Sequence, residues 1–269
     1  MVELIEKDIK TNDRKSSKGN QLKWEKDGIW YKADYTGYEG LSEYMVSHLI
    51  VKSNVNEASY ILYDTEKIHY KHSEYTGCKS KEFLSNDCQL ITLERLFHNA
   101  YNQSLTSCIY KLESNKSRLE FIVQEIERLT GLKEFGKYMS MLMTIDALFL
   151  NEDRHLHNIA VILGPEGEYT YCPVFDNGAS LLSDTTMDYP MGIDLAKLRN
   201  EAKPKTFIND FDEQLEIAEM LYGQHIKFTF TKKDVDELLA HEKYYGEDVK
   251  ERVKQLIYWQ MQKYKYLFK

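Results

Sequence analysis

A chain of 269 residues, 42% of them hydrophobic, can bury a sizeable core and form two modest lobes or one large domain, which excludes a disordered polymer. Its formal net charge of −8, with no long Lys/Arg block, excludes the concentrated basic face that direct nucleic-acid binding needs. Four cysteines without C-x-x-C spacing argue against a zinc ribbon or a disulfide framework and fit a reducing cytoplasm, and no apolar run is long enough for a bilayer, so a soluble, cytoplasmic protein without a membrane partner is expected.

In chain order, residues 1–10 alternate apolar and charged positions instead of forming a signal-peptide core. Ser16, Ser17, Lys18, Gly19, Asn20 and Gln21 follow, a segment whose small residues would let backbone N–H groups approach phosphate oxygens, although it is neither a G-x-G-x-x-G nor a Walker A sequence. Asp27-Gly28 between residues 22–25 and 29–32 is a strong hairpin signal. Leu41, Tyr44, Met45, His48 and Leu49 recur at helical spacing and predict a helix over 39–51. One strand is expected at 60–63, then a polar region.

From Leu93 the periodicity predicts helices at 93–101, 117–129 and 135–150, the last on Phe135, Met139, Leu142, Ile145 and Phe149. A short hairpin is expected next: Ile159, Val161 and Leu163 alternate, Gly164-Pro165-Glu166-Gly167 turns, and Tyr169, Tyr171 and Pro173 lead to Asp176. Helices are expected at 212–221, at 231–241 behind the capping pattern Thr231-x-x-Asp234, and at 247–268. The expected class is α+β, with a β-rich part over residues 1–92 and a mainly helical part over residues 93–269.

The most informative residues are Asn151-Glu152-Asp153-Arg154-His155-Leu156-His157-Asn158, followed by Phe175-Asp176-Asn177-Gly178. Moving a terminal phosphoryl group needs in-line oxygens and neutralised charge more than covalent chemistry. Asn158 and Asp176 offer the hard oxygens that Mg²⁺ takes while keeping several waters, and Asp153 is left to orient a hydroxyl and accept its proton. The five-residue offset of Asp153 and Asn158 is that of the Asp and Asn in a protein-kinase catalytic loop. Lys32 at a strand end and Glu43 on the next helix can meet as a phosphate-contacting lysine and the glutamate that holds it, although such pairs are more often solvated surface pairs. His155 and His157 stand at H-x-H spacing, but no third His or Cys completes a zinc site; His155 is expected to pack in the loop and fix Asp153 by a hydrogen bond, and Arg154 to lie at the surface or pair with a carboxylate.

The order of these motifs resembles the HipA-like serine/threonine kinases, over about residues 13–182; Asp153-Arg154-His155-x-x-Asn158 also looks like the catalytic loop of phosphatidylinositol kinases. The resemblance implies a two-lobed protein-kinase-like fold and an ATP- and Mg²⁺-dependent kinase with a protein substrate. By it, Asp153 is the catalytic aspartate with His155 in its loop, and Asn158 and Asp176 are Mg²⁺ ligands. Ser17, Lys18, Gly19, Gln21, Lys32 and Glu43 would serve ATP. It further implies autophosphorylation at Ser16 or Ser17, and action as a toxin with an antitoxin protein as partner. A lipid or small-molecule kinase, and a nucleotide-binding pseudokinase module, are the alternatives.

Overall fold

The computed structural model describes residues 1–10 and 21–268. In chain order its strands and helices are β1 (Val2–Leu4), β2 (Lys23–Lys26), β3 (Ile29–Ala33), α1 (Glu39–Ile50), β4 (Asp64–Tyr70), β5 (Ser73–Lys81), β6 (Gln89–Thr92), α2 (Leu93–Tyr101), α3 (Leu105–Ile109), α4 (Asn115–Thr130), α5 (Phe135–Phe149), β7 (Ala160–Leu163), β8 (Tyr169–Tyr171), α6 (Leu195–Glu201), α7 (Phe211–Tyr222), α8 (Lys232–His241) and α9 (Glu247–Lys263). The class is α+β, as expected. Two compact units form, one from Met1–Phe83, Phe175–Ala202 and Lys227–Lys269, the other from Leu84–Val174 and Lys203–Ile226.

The first unit is built on a five-stranded sheet of order β1-β4-β5-β3-β2, antiparallel except where β1 runs parallel to β4. The β2–β3 hairpin turns at Asp27 and Gly28, both at positive φ (54° and 75°), the backbone that a two-residue turn requires and that Asp-Gly supplies. Leu4, Trp24, Tyr31, Ala33, Ile68 and Tyr70 form the core against one face of the sheet.

Two expectations are corrected here. Residues 60–63 belong to no strand; Ile61 and Tyr63 instead pack on Cys78. The region read as polar contains β4 and β5, a long hairpin closed by Lys71 at positive φ. Alternate residues Glu66, Ile68 and Tyr70 are buried, while polar side chains pair across the strands: Lys79 Nζ donates to Glu66 at 2.9 Å and Lys67 Nζ to Thr76 Oγ1 at 2.7 Å. Such cross-strand pairs stabilise a strand whose own composition is weakly β-forming.

Every residue of α1 except His48 is buried, so the helix is enclosed nearly all round. Its first turn approaches β5 closely because both contact residues are glycines: a Cβ on Gly40 would stand 2.5 Å from the Gly77 carbonyl carbon. α8 begins with the expected capping box, Thr231 and Asp234 exchanging hydrogen bonds.

In the second unit, α5 is apolar and almost wholly buried, packing on α4 and α7. The expected β7–β8 hairpin is present and gains β6 on its other side, Ile91 standing opposite Val161. The helix expected to run to residue 268 ends at Lys263. All four cysteines are free, and among the described residues no helix is long and apolar enough to cross a membrane.

Candidate functional site

Two polar clusters form, one in each unit. In the first unit, β3 delivers Lys32 and α1 delivers Glu43, because Lys32 stands one residue before the end of the strand that precedes α1. Lys32 Nζ lies 2.8 Å from Glu43 Oε1 and 2.9 Å from Asp176 Oδ1. Burial works against the Lys32 charge, but Asp176 and then Glu43 outweigh it, and the amine is held well above the ordinary lysine pKa. The Tyr63 ring lies beneath it, 5.1 Å from Nζ to the centroid; burial pushes the Tyr63 hydroxyl and the neighbouring Cys78 thiol far up, so both stay neutral beside the cation.

Glu43 is bound twice. Its second oxygen accepts the Asn177 N–H at 2.8 Å, which ties α1 to the segment carrying Asp176. Asp176 itself adopts the left-handed backbone (φ 59°), a conformation that a non-glycine residue takes at some energetic cost and that recurs where a side chain must be aimed. Its side chain is 25% exposed, against 2% for Glu43, so Asp176 is the carboxylate open to a ligand. Gln21 donates through Nε2 to the Ala33 carbonyl at 3.0 Å, which pins the segment leading into β2 to the end of β3. Ser16, Ser17, Lys18 and Gly19 lie outside the described residues.

In the second unit the loop 151–158 follows α5. Leu150 caps that helix in the left-handed region (φ 56°), reversing the chain into the loop. Asn151 brackets the turn: its backbone N–H donates to the Asp146 carbonyl at 2.9 Å, its Nδ2 to Asp146 Oδ1 at 3.0 Å, and its Oδ1 accepts the Asp153 N–H at 3.2 Å. Arg154 Nε reaches both Asp146 oxygens, at 3.1 and 3.2 Å, and the pair is fully enclosed. Of the two expectations for Arg154, pairing with a carboxylate is the one found. Sequence reasoning overlooked Asp146, yet a single carboxylate inside the apolar stretch of α5 was the available signal, since such a charge needs a buried partner.

Asn158 Nδ2 donates to the Asp153 backbone oxygen at 2.7 Å and reaches Asp153 Oδ2 at 3.3 Å, which fixes the amide with Oδ1 turned away from Asp153. His155 Nε2 stands 3.8 Å from Asp153 Oδ1, longer than the hydrogen bond expected, while its Nδ1 accepts the His157 N–H at 3.2 Å. The histidine is thus occupied in shaping its own turn, and Asn158 holds Asp153. Among the described residues, no group of three or more His, Cys, Asp or Glu gathers to hold a metal. The Asp176 carboxylate in the first unit and the Asn158 amide oxygen in the second are each a hard oxygen of the kind Mg²⁺ accepts beside its own waters.

No family model matches the sequence, and no curated protein matches it. Among solved structures, the chain is similar to the crystal structure of a Helicobacter pylori proinflammatory kinase, CtkA, with a TM-score of 0.63 and 16% sequence identity, over 97% of this chain and 95% of that one. The two-lobed, protein-kinase-like α+β fold expected from the sequence is therefore the fold of this chain.

Proposed function

We propose that the chain is an ATP- and Mg²⁺-dependent kinase of the HipA-like type that phosphorylates Ser or Thr hydroxyls of a protein in the cytoplasm. The observation that carries this reading is the Lys32 amine held between Glu43 and Asp176: a cation only partly open to solvent and fixed in direction is what a triphosphate's crowded oxygens require. The similar solved structure is that of a kinase, which agrees with the reading.

In the reaction, Lys32 would bind the phosphate oxygens, with Glu43 holding the amine in place. Asp176 and Asn158 would hold Mg²⁺, which when bound neutralises charge on the phosphates. Asp153 would orient the acceptor hydroxyl and take its proton as the oxygen attacks the γ-phosphorus; the bond to the β–γ bridging oxygen breaks and ADP leaves. Gln21, beside the end of β3, and Ser17, Lys18 and Gly19 would complete the phosphate-binding segment, and His155 would support the Asp153 loop. The functional lobes would divide near Thr92. Autophosphorylation at Ser16 or Ser17 belongs to the same reading, because phosphate there would place charge where ATP phosphates must sit. Toxin activity and an antitoxin partner are carried by the resemblance alone.

The test is phosphate transfer from labelled ATP to protein acceptors, and to lipid acceptors in parallel. Asp153→Ala and Asp176→Ala should each lower kcat by at least about 10³-fold while the protein stays folded. Near-parent turnover by either purified variant would exclude the role given to that residue.

A further inference from the structure

The first turn of α1, the helix that carries Glu43, is held in an unusual way. Tyr38, its N-cap residue, makes no side-chain cap, and the Glu39 carboxylate is turned back onto Thr36 and the preceding loop. The amide that a cap would satisfy is instead taken by Asp34: Gly40 N–H donates to Asp34 Oδ1 at 2.6 Å. Asp34 Oδ2 in turn accepts the Tyr245 hydroxyl at 2.7 Å, from the turn between α8 and α9. Burial and the nearby Glu39 charge both disfavour an ionised Asp34, so these two donors are what keep its carboxylate oriented.

The same C-terminal helices reach α1 at two further points. Arg252 on α9, itself 6% exposed, donates through Nε to the Tyr38 hydroxyl at 3.0 Å and through Nη2 to the Tyr189 carbonyl at 2.9 Å. The Tyr38 hydroxyl passes the connection on to the Leu181 carbonyl at 2.6 Å, in the stretch that follows Asp176. Tyr44, one residue beyond Glu43, donates to the Leu238 carbonyl on α8 at 3.3 Å. Tyr245 is presented rigidly, because the buried Glu242 carboxylate accepts the Tyr244 and Tyr245 N–H groups at 2.6 and 3.0 Å.

We propose that Tyr245 and Arg252 are positioning residues for the Lys32–Glu43–Asp176 cluster: by donating to Asp34 and Tyr38 they fix the first turn of α1 and so keep Glu43 on Lys32. A residue more than 200 positions away in sequence thereby governs the direction of the Lys32 amine. Its consequence for phosphate transfer rests on the kinase reading; the positioning itself does not. Without the tethers, α1 gains a second orientation in which Glu43 leaves Lys32, and a fixed cation becomes a mobile one.

The test uses the full chain and the variants Tyr245→Phe and Arg252→Gln, with Tyr258→Phe as control, since that hydroxyl bonds the Lys232 carbonyl and touches neither Asp34 nor Tyr38. Acylation of the Lys32 amine by an amine-reactive ester, followed by peptide mass spectrometry, reads how often the amine escapes its carboxylates. Both variants should raise the labelling rate by roughly five- to tenfold, as loss of one hydrogen bond allows, with faster amide exchange in residues 39–50. The control should match the parent. Under the kinase reading, kcat falls only in proportion to the share of molecules in which Glu43 has left Lys32, while the KM for ATP changes less. Labelling within about twofold of the parent in both variants, or an equal rise in the control, overturns the proposal. If the parent transfers no phosphate but the labelling changes as stated, the positioning stands and the kinase reading alone fails.

Discussion

Lys32 shows how much one side chain depends on its neighbours. With 13% of it exposed, it is tolerated as a cation only because two carboxylates face it, one of them almost wholly buried. Lys32→Met should therefore destabilise the protein by about 3 kcal/mol, since it leaves the Glu43 charge without its counter-ion; urea unfolding checks this, and a loss near zero would mean that Glu43 takes up a proton or water instead. Asp146 behaves differently. Burial pushes its carboxyl up to about 6 even though Arg154 and Asn151 pull it back. A raised folded-state pKa means that the folded protein binds this proton more readily than the unfolded chain from about pH 4 to about pH 6. The group's contribution to stability is therefore full at the acid end of that window and falls as pH rises through it. Asp146→Asn should remove that contribution, so that the stability of the parent relative to the variant declines between about pH 4 and about pH 6 in unfolding titrations. A rising difference would reverse the assignment.

At the scale of elements, α1 is the piece whose placement matters most. Its closeness to β5 depends on Gly40 and Gly77 rather than on helix propensity. Gly40→Ala adds a better helix former, yet the new Cβ would meet the Gly77 carbonyl carbon at 2.5 Å and the Tyr245 hydroxyl at 2.7 Å. Overpacking should win, for a net loss of about 1–2 kcal/mol in chemical denaturation; a stabilised variant would show that the contact relaxes freely. Elements with strong local signals were legible. The Asp27-Gly28 hairpin, α1, α2, α5 and the capped start of α8 carry their instructions in a few adjacent residues. The β4–β5 hairpin was not, because Thr, Lys and Glu become strand-forming only through partners such as Glu66 with Lys79, about a dozen positions apart. β6 was missed for the same reason: its ladder partner β7 lies some seventy residues on.

At the scale of the whole molecule, three separate stretches of chain build the first unit: Asp176 and Asn177 bond Lys32 and Glu43, and the C-terminal helices and their turn bond α1 and the turn before it. Ligand binding to the folded chain should therefore register in its global stability. ATP with Mg²⁺ should raise Tm in a thermal-shift titration, and chelating the metal should remove most of that rise, because a ligand that binds only the folded state stabilises it by mass action. An unchanged Tm at millimolar ATP would argue against nucleotide binding.

The sequence by itself determined the α+β class, the hairpin at Asp27-Gly28, most helices, and the residue types of the candidate site, since turns, caps and apolar periodicity act over a few residues. Lys32, Glu43, Asp153, Asn158 and Asp176 were all legible as candidates because their spacing follows the chemistry they would perform. Only the tertiary structure decided that Arg154 turns inward to Asp146, that Asn158 rather than His155 holds Asp153, and that Tyr245 and Arg252 stand behind α1. The last two contacts join residues more than 200 positions apart and the first two depend on how the loop after α5 turns, and neither kind leaves a periodic mark on the sequence that forms it.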